Sequence, residues 1–361
     1  MRVLFVDVGQ GTCQVILTGR RRAIVIDTGS HPRTVMRVLR LFRVETIELL
    51  CISHNDEDHA GGTAKSSSRK NSKWKKPPSL VMGILAHYQD AIETIAFVPD
   101  TKFAKSRFGK FLVQLEDEGK IRPEQLVTIE VQATPKLLWE SENKVTQLAV
   151  ISPLGGNTAS ALVKKNANAS SAILELRHRG QKIVFAADSE YSQWRDVLRL
   201  RSNRPVDCRA ITIPHHGGLM SGTLADLRWF AGSAIKADIA IVSVGTRNGY
   251  GHPGPETIKA FALSTSQVCC TQITEKCCGD LESVRPSIVG VPRFPCRSST
   301  DKDVKRKKRN DGSTVIRSNN VGCATTISAI LTDSGIDFER LDEHRRGVDK
   351  LVSNGHTPLC R

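Results

Sequence analysis

The hydrophobic pattern near the start of the chain predicts a β-sheet. Three short runs rich in β-branched residues, 2–8, 13–18 and 22–27, are separated by glycine or basic residues. Runs of this kind between turn residues are typical of strands. The apolar run 47–53 has the composition of a further, buried strand. We therefore expect the chain to begin with successive strands of one sheet.

Farther along the chain, helical and strand-like spacing alternate. Apolar residues recur at the helical interval in residues 31–42, 103–118, 190–200, 221–231 and 254–263. Further strand-like runs lie at 81–85, 127–132, 147–152, 171–177, 182–187, 209–213 and 239–244. Hairpin-linked strands mixed with helices predict an α/β fold in which two packed sheets carry helices on their outer faces.

The character of the chain changes near residue 266. Seven of the ten cysteines, several Pro and Gly turns and the basic run 302–309 lie beyond this point, where periodic apolar spacing fades. We therefore predict a main domain over residues 1–266 and a small, basic, cysteine-rich extension over residues 267–361.

Composition excludes several classes of protein. Apolar residues make up 39% of the 361 positions and charged residues 25%, which supports a folded core and excludes disorder throughout. No run approaches the ~18 apolar residues that a membrane span requires, and the first residues do not have the pattern of a signal peptide. We therefore expect a cytoplasmic protein with no membrane partner.

The densest chemical signal is the pattern His-x-Asp-x-Asp-His, which lies between the buried strand 47–53 and two glycines. It consists of His54, Asp56, Asp58 and His59. Imidazole nitrogens mixed with carboxylate oxygens suit zinc, manganese or iron. A charged helix N-cap would use one or two of these residues and leave both histidines unexplained. The motif therefore predicts a metal site.

Polar residues also end several of the other apolar strands. They are Asp27, Asp188, His215, His216 and, after a longer loop, His252. Residues in such positions meet where loops gather at one edge of packed sheets. We therefore expect these side chains to lie near the His-x-Asp-x-Asp-His motif.

The order and spacing of these motifs resemble the metallo-β-lactamase superfamily and, within it, the soluble hydrolase domain of the ComEC family of competence proteins. The similar segments, within about residues 1–265, are DVGQGTC, VIDTG, SHNDEDHAGG, the AAD strand end, PHHGG and SVGTRNGYGHPGPETI. The resemblance implies an αββα sandwich with two divalent ions, zinc or manganese, at the sheet edges. It also implies a lineage that includes nucleases and phosphodiesterases.

The resemblance also implies a role for each matching residue. The implied ligands are His54 and Asp56 for one ion, Asp58 and His59 for the other, Asp188 between the two ions, and one of His215 and His216, with His216 preferred, for the second ion. The implied catalytic residues are Asp58, Asp188 and His252. The residues implied to surround the ligands or the substrate are Asp7, Gln10, Asp27, Asn168 and Ser170, with Asp27 orienting the histidines.

The sequence departs from the ComEC pattern at three places. Thr12 stands where ComEC-type sequences usually have Asp, and Ala187 replaces the usual Gly. The superfamily's third-motif histidine has no clear equivalent, so Asn168 or Ser170 is expected to face the first ion, which would then be weakly held.

A basic segment directly follows the metal motif. Residues 65–79 contain six basic residues, no acidic ones and one tryptophan. Such a segment can follow a phosphate backbone and stack a base, which favours nucleic acid as the substrate. The candidate contact residues are Lys70, Lys73, Trp74, Lys75 and Lys76. A solvated insertion is an equally weighted alternative, and the net charge of +15 adds little because much of it lies in this segment and in run 302–309.

These observations favour a metal-dependent hydrolase, foremost a phosphodiesterase or nuclease that cleaves DNA with a metal-bound hydroxide. One alternative is a hydrolase of a small ester, lactone, thioester or cyclic nucleotide. Another is a non-catalytic binding member of the same fold. No protein partner is indicated.

The cysteines of the extension suggest a second kind of metal site. A chain of this length without an export signal is expected to use cysteines as thiols or metal ligands rather than as disulfides. A structural zinc ion needs four thiolate or imidazole ligands, and the candidates are Cys270, Cys278, Cys296 and Cys323. Reduced thiols that only fill the core remain an alternative, because the spacing lacks paired C-x₂-C motifs.

Overall fold

The computed structural model describes residues 1–29, 32–61, 80–99, 103–130, 134–152, 168–246, 248–277, 294–295, 305–308, 314–317 and 321–360. The strands are, in chain order, β1 (Arg2–Phe5), β2 (Gln14–Gly19), β3 (Arg22–Ile26), β4 (Thr46–Ile52), β5 (Ile95–Phe97), β6 (Leu126–Thr128), β7 (Lys136–Glu140), β8 (Thr146–Ser152), β9 (Ile173–His178), β10 (Gln181–Phe185), β11 (Val206–Thr212), β12 (Ile235–Val242), β13 (Gln267–Cys270), β14 (Lys305–Lys308), β15 (Thr314–Arg317), β16 (Ile327–Thr332) and β17 (Gly335–Phe338).

Helices join or follow these strands. They are α1 (Pro32–Leu41), α2 (Leu80–Tyr88), α3 (Arg107–Asp117), α4 (Tyr191–Leu200), α5 (Leu224–Trp229), α6 (Pro255–Ala262) and α7 (Leu341–Ser353). In the part of the chain that the structure describes, none of the helices is long and apolar enough to cross a membrane.

Two large sheets form the centre of the molecule. The first has the order β17-β16-β1-β2-β3-β4-β5-β6, and the second has the order β13-β12-β11-β10-β9-β8-β7. In each sheet one half is antiparallel and the other half is parallel. The ligand-bearing loops described below follow β4, β10 and β11, which lie in the parallel halves or at their borders.

Burial follows the alternation expected of strands with two covered faces. In β1, Val3 and Phe5 point between the sheets, whereas Leu4 points to the helices on the outer face. The rings of Phe5 and Phe185 lie 5.9 Å apart across the interface between the sheets. Both faces of each sheet are therefore covered by apolar side chains.

The helices form the two outer layers. Apolar residues of α1, α2 and α3 pack on the first sheet. Those of α4, α5, α6 and α7 pack on the second. The predicted αββα sandwich is confirmed.

One predicted strand is wrong. Residues 81–85 belong to helix α2, in which Ile84, Leu85 and Tyr88 are buried and pack on the first sheet. A short apolar run has no clear period, so sequence spacing alone cannot separate a strand from a buried helix.

Residues after 266 contribute to both sheets. Strand β13 extends the second sheet, and β16 and β17 extend the first, where β16 pairs antiparallel with β1. These elements and α7 were not predicted. The division of the chain near residue 266 stays a prediction, although its far side is joined to the sandwich by these ladders.

Candidate metal centre

The ligand candidates meet at one edge of the sandwich. The loop after β4 carries His54, Asp56, Asp58 and His59, the loop after β10 carries Asp188, and the loop after β11 carries His215 and His216. β10 and β11 are adjacent parallel strands of the second sheet, so their loops leave the same edge. The loop after β4, from the first sheet, meets them there. His54, His59, Asp188 and His216 are buried.

The tightest group contains Asp58, His59, Asp188 and His216. Nε2 of His59 lies 3.3 Å from Nε2 of His216 and 3.1 Å from Oδ1 of Asp188. Nε2 of His216 lies 3.1 Å from Oδ2 of Asp58 and 3.6 Å from Oδ1 of Asp188. A tetrahedral zinc ion holds its nitrogen and oxygen ligands about 3.3 Å apart. The donor set and its spacing therefore fit a divalent ion.

A second, wider group shares Asp188. Nε2 of His54 lies 3.8 Å from Oδ2 of Asp188 and 3.9 Å from Oδ2 of Asp56. Nε2 of His54 is buried and has no hydrogen-bond partner among the described residues. An unpartnered buried nitrogen is costly unless something binds it, so this atom fits a ligand position. The two oxygens of Asp188 face different groups, which is the arrangement of a bridging carboxylate.

Neighbouring groups fix the orientation of two histidines. Nδ1 of His59 donates to Oδ2 of Asp27 at 2.8 Å, so Nε2 faces the tight group. Nδ1 of His216 donates to the backbone carbonyl of Ser243 at 3.0 Å, with the same result. Metal-binding histidines are characteristically held in this way through the ring nitrogen that does not bind the metal.

Hydroxyl groups complete this support. Thr12 Oγ1 and Ser53 Oγ both donate to Oδ2 of Asp27, at 2.9 and 2.7 Å. Ser53 Oγ also lies 3.2 Å from Nδ1 of His54, and Ser171 Oγ lies 3.3 Å from the same nitrogen. Thr12 therefore supports the site as a hydrogen-bond donor to Asp27.

The cluster is electrostatically suited to a cation. Burial alone would raise the pKa of Asp188, but His59 and His216 outweigh it and hold that pKa well below its usual value. Burial likewise opposes ionisation of Asp58, yet a hydrogen bond from His216 and the charge of His59 lower its pKa. The carboxylates are thus ionised, and they supply the negative charge that a divalent ion neutralises.

A glycine allows the ligand loop to lie close to the first loop of the chain. Gly11 has φ +114°, and a Cβ there would clash with the backbone carbonyl of Asp58. The N–H of Thr12 donates to that carbonyl at 3.2 Å. The DVGQG turn therefore supports the loop that carries Asp58.

A cleft of about 520 Å³ opens over the cluster. Its lining residues are Gln10, Asp56, Glu57, Asp58, Asn168, Asp188, His215, His216, Tyr250 and His252. Tyr250 is 72% exposed, and its ring stacks on that of His252 at a centroid distance of 5.8 Å and an interplanar angle of 10°. Burial and the nearby His216 and His215 lower the pKa of His252 to about 4, so its imidazole is neutral at pH 7.

The other predicted residues lie in several places. Gln10 and Asn168 line the cleft, and Ser170 is buried beside the strand β9 that follows it. Asp7 accepts hydrogen bonds from the N–H of Gly9 and from Gln272. His215 lines the cleft with its ring 5.2 Å from that of His252. The basic candidates Lys70, Lys73, Trp74, Lys75 and Lys76 lie outside the described residues.

Sequence reasoning missed several residues of this site, among them Ser243, whose backbone carbonyl orients His216, and Glu57, which lines the cleft. Four others contribute through their side chains. They are Ser53, Ser171 and Tyr250, together with Thr12 in its role as a donor to Asp27. Ser53 and Ser171 are sequence neighbours of the predicted residues His54 and Ser170. Their position next to these residues is the only sequence signal that could have identified them. Tyr250 lies in a loop without periodic spacing, where no local pattern marks a residue at the rim of a cleft.

Known proteins were matched by family profile, by sequence and by structure. A family profile described as the metallo-beta-lactamase superfamily matches residues 6–133. No curated protein matches the chain. Among solved structures, the chain is similar to PqqB from Methylobacterium extorquens, a Zn²⁺-bound protein, with 8% identity and a TM-score of 0.40 over 75% of this chain and 98% of that one.

Two other solved structures also match the chain at low sequence identity. The CmlA beta-hydroxylase E377D mutant has 15% identity and a TM-score of 0.41 over 71% of this chain and 48% of its own, so the chain spans about half the length of that protein. The DIM-1 metallo-beta-lactamase has 11% identity and a TM-score of 0.27 over 54% of this chain and 73% of its own. Over residues 6–133 the chain is thus similar to the metallo-β-lactamase superfamily, and these residues lie in a sandwich that gathers His and Asp side chains at one edge.

Proposed function

We propose that this protein is a hydrolase that uses two divalent metal ions to cleave phosphodiester bonds, foremost those of DNA. The observation that carries the proposal is the position of Asp188. Its Oδ1 lies 3.1 Å from His59 Nε2, and its Oδ2 lies 3.8 Å from His54 Nε2, so one carboxylate joins two ligand groups. Such an arrangement is typical of centres with two ions.

The ligand sets follow from the two groups. His59, His216 and Asp58 would hold one ion, and His54 and Asp56 the other, with Asp188 shared. When bound, two divalent ions lower the pKa of a water and neutralise charge on a phosphoryl group. The wider group has fewer close donors among the described residues, so its ion is expected to bind more weakly.

The residues of the cleft supply binding and orientation. His252 is neutral at pH 7, so its imidazole has one N–H that can donate to a phosphoryl oxygen and one nitrogen that can accept a proton. Asp27 and the Ser243 carbonyl keep His59 and His216 from rotating. The chain thus presents fixed donors around the place where charge develops during hydrolysis.

Tyr250 favours a substrate that carries a base. It is 72% exposed at the rim of the cleft, already stacked on His252 on one side. An exposed ring next to a phosphate-binding site provides a surface on which a nucleobase stacks. The basic segment 65–79 follows the ligand loop in the sequence and would add phosphate contacts. The motif resemblance to the ComEC hydrolase domain supports the same substrate class.

A small-molecule hydrolase is the second candidate. The cleft volume of about 520 Å³ lies within the range of about 300–1,000 Å³ usual for small-ligand pockets. A cyclic nucleotide would satisfy both this volume and the exposed ring of Tyr250. Lactones, thioesters and other small esters would use the metal ligands but not the stacking surface.

One experiment separates these functions. The purified full chain, loaded with Mn²⁺ or Zn²⁺, is incubated with single- and double-stranded DNA, RNA, a cyclic nucleotide, a lactone and a thioester. We expect cleavage of DNA, which Asp58→Ala abolishes and Glu57→Ala retains. Glu57 is a suitable control because it is the neighbouring carboxylate and also lines the cleft. Turnover of small esters alone would support the second candidate, and no turnover at all would support a binding role.

A further inference from the structure

A second cluster of metal-binding side chains lies on the outer face of the second sheet. It contains Cys270, Cys323, His344 and Cys360, all of which are buried. The three cysteines belong to the apolar core between that sheet and its helices. None of these residues lines the cleft over the metal centre.

Three of these side chains converge on one point. Nε2 of His344 lies 3.4 Å from Sγ of Cys323 and 4.0 Å from Sγ of Cys360. The two sulfurs lie 4.0 Å apart, and the three donor atoms all lie within 4.8 Å of one another. Cys270 is buried in the same core, where it lies beside Cys360. The structure thus brings two thiols and one imidazole nitrogen together, with a third thiol next to them.

These separations match the edges of a zinc tetrahedron. With Zn–S bonds of about 2.3 Å and Zn–N bonds of about 2.0–2.1 Å, two sulfurs lie about 3.8 Å apart and a sulfur and a nitrogen about 3.6 Å apart. The observed distances differ from these values by a few tenths of an ångström. They do not fit a disulfide, in which the sulfurs would be about 2.05 Å apart, and Cys323 and Cys360 are free thiols.

The imidazole is held from its other side. Nδ1 of His344 lies 3.6 Å from Sγ of Cys269 and 3.0 Å from the side-chain amide of Gln267, both on strand β13. Nε2 is therefore the nitrogen that faces the thiols. A ligating histidine characteristically donates its second ring N–H to an acceptor, and the sulfur of Cys269 is the acceptor that Nδ1 would use here.

We propose that Cys270, Cys323, His344 and Cys360 bind a structural zinc ion. Cys323, His344 and Cys360 supply the three converged donors, and Cys270, buried beside Cys360, would supply the fourth. Four protein ligands leave no open position, so the ion would have a structural rather than a catalytic role. The ligands come from the end of β13, the loop before β16, helix α7 and the segment after it. One ion would thus link the loop before β16, helix α7 and the segment after α7 to strand β13 at the edge of the second sheet.

This ligand set differs from the zinc ligands predicted from the sequence. Cys270 and Cys323 were predicted, whereas His344 and Cys360 take the places given to Cys278 and Cys296, which lie outside the described residues. His344 was missed because a single histidine within an amphipathic helix carries no spacing signal.

Cobalt substitution tests the proposal without an activity assay. Co²⁺ bound to thiolates absorbs in the near ultraviolet through sulfur-to-metal charge transfer, whereas carboxylate and imidazole ligands alone do not give this band. The full chain loaded with Co²⁺ is therefore expected to show the band, and added Zn²⁺ to remove it. The metal centre at the sheet edge contributes nothing to this signal, so Asp58→Ala should leave it unchanged.

Variants identify the ligands. Cys360→Ser and His344→Ala are expected to weaken cobalt binding at least tenfold, and His344→Cys to retain it by restoring a fourth donor. Cys277→Ser is the matched control, because Cys277 is a buried cysteine of the same core that is not in the ligand set. Loss of the band in Cys277→Ser would overturn this set.

If a variant fails to fold, cobalt spectra and thiol alkylation of the wild-type chain still test the proposal. Zinc is expected to shield the ligand thiols from alkylation, and a chelator to expose them. Absence of the charge-transfer band in the wild type, or alkylation that zinc does not slow, would show that the cluster is a group of reduced core thiols.

Discussion

Asp27 and His59 form a direct carboxylate–imidazole contact of 2.8 Å, although helix α1 and strand β4 separate them in the chain. The same carboxylate oxygen accepts the hydroxyl hydrogens of Thr12 and Ser53. Asp27 is thereby fixed on three sides and holds the ring of His59 with Nε2 directed at Asp188 and His216. Asp27 belongs to neither ligand group, yet it sets the orientation of the ligand His59.

We expect Asp27→Asn to weaken metal binding by about 10- to 100-fold, the usual effect of removing a partner of a metal-bound histidine. The side chain keeps its shape but loses its charge and one acceptor oxygen. Competition with a fluorescent chelator measures the affinity. Asp207→Asn on the exposed side of β11 is the control and should bind metal like the wild type. Equal affinities in the two variants would contradict the orienting role.

Asp58→Ala is expected to remove the ion bound by His59 and His216 and to lower turnover at least about 100-fold. The fold should persist, because Asp58 lies in a loop at the edge of the sheets and is not part of the core. Metal analysis together with circular dichroism measures both effects. Glu57→Ala should retain metal and turnover. The metal-hydrolase proposal fails if Asp58→Ala keeps full activity.

Tyr250→Ala is expected to raise the KM for nucleic acid about 5- to 150-fold, since stacking of a base on an aromatic ring contributes about 1–3 kcal/mol. Tyr250→Phe keeps the ring and should behave like the wild type. Hydrolysis of a small lactone should not respond to either change. An equal loss in both variants would assign the effect to the hydroxyl and not to stacking.

Replacing Lys73, Lys75 and Lys76 by Ala is expected to flatten the salt dependence of DNA binding. Each lost phosphate contact lowers the slope of log K against log salt by about 0.9 for duplex DNA, so the loss of all three lowers it by up to about 3. Binding is measured between low and moderate salt. The matched control removes Lys305, Lys307 and Lys308 from the second basic run and should leave the slope unchanged. If both triple variants give the wild-type slope, segment 65–79 is a solvated insertion.

Sequence reasoning found the features whose signal is local in the chain. His54 and His59 lie in one short loop after a strongly apolar strand, so their type and spacing are visible without tertiary information. Strands β1 to β4 were found because their runs are bounded by turns. The αββα arrangement then followed from the order of strands and helices.

Residues that depend on distant packing could not be found in the same way. Thr12 acts through Asp27, and Ser171 acts through His54, each across a gap in the sequence that only folding closes. His344 reaches the cysteine cluster from a helix far along the chain. Helix α2 was mistaken for a strand because its apolar run is short and lacks a clear period.

The pairing of β16 with β1 has a consequence for the order of folding during synthesis. Arg2 lies opposite Ile330, so more than 300 residues are synthesised between β1 and the strand that pairs with it. Until then, β1 presents unpaired N–H and C=O groups along one side, an open edge that other chains could join. Pairings between such distant segments also form slowly. We therefore expect release from the ribosome before residue 327 to give chains that aggregate, even when every residue of the metal centre has been made.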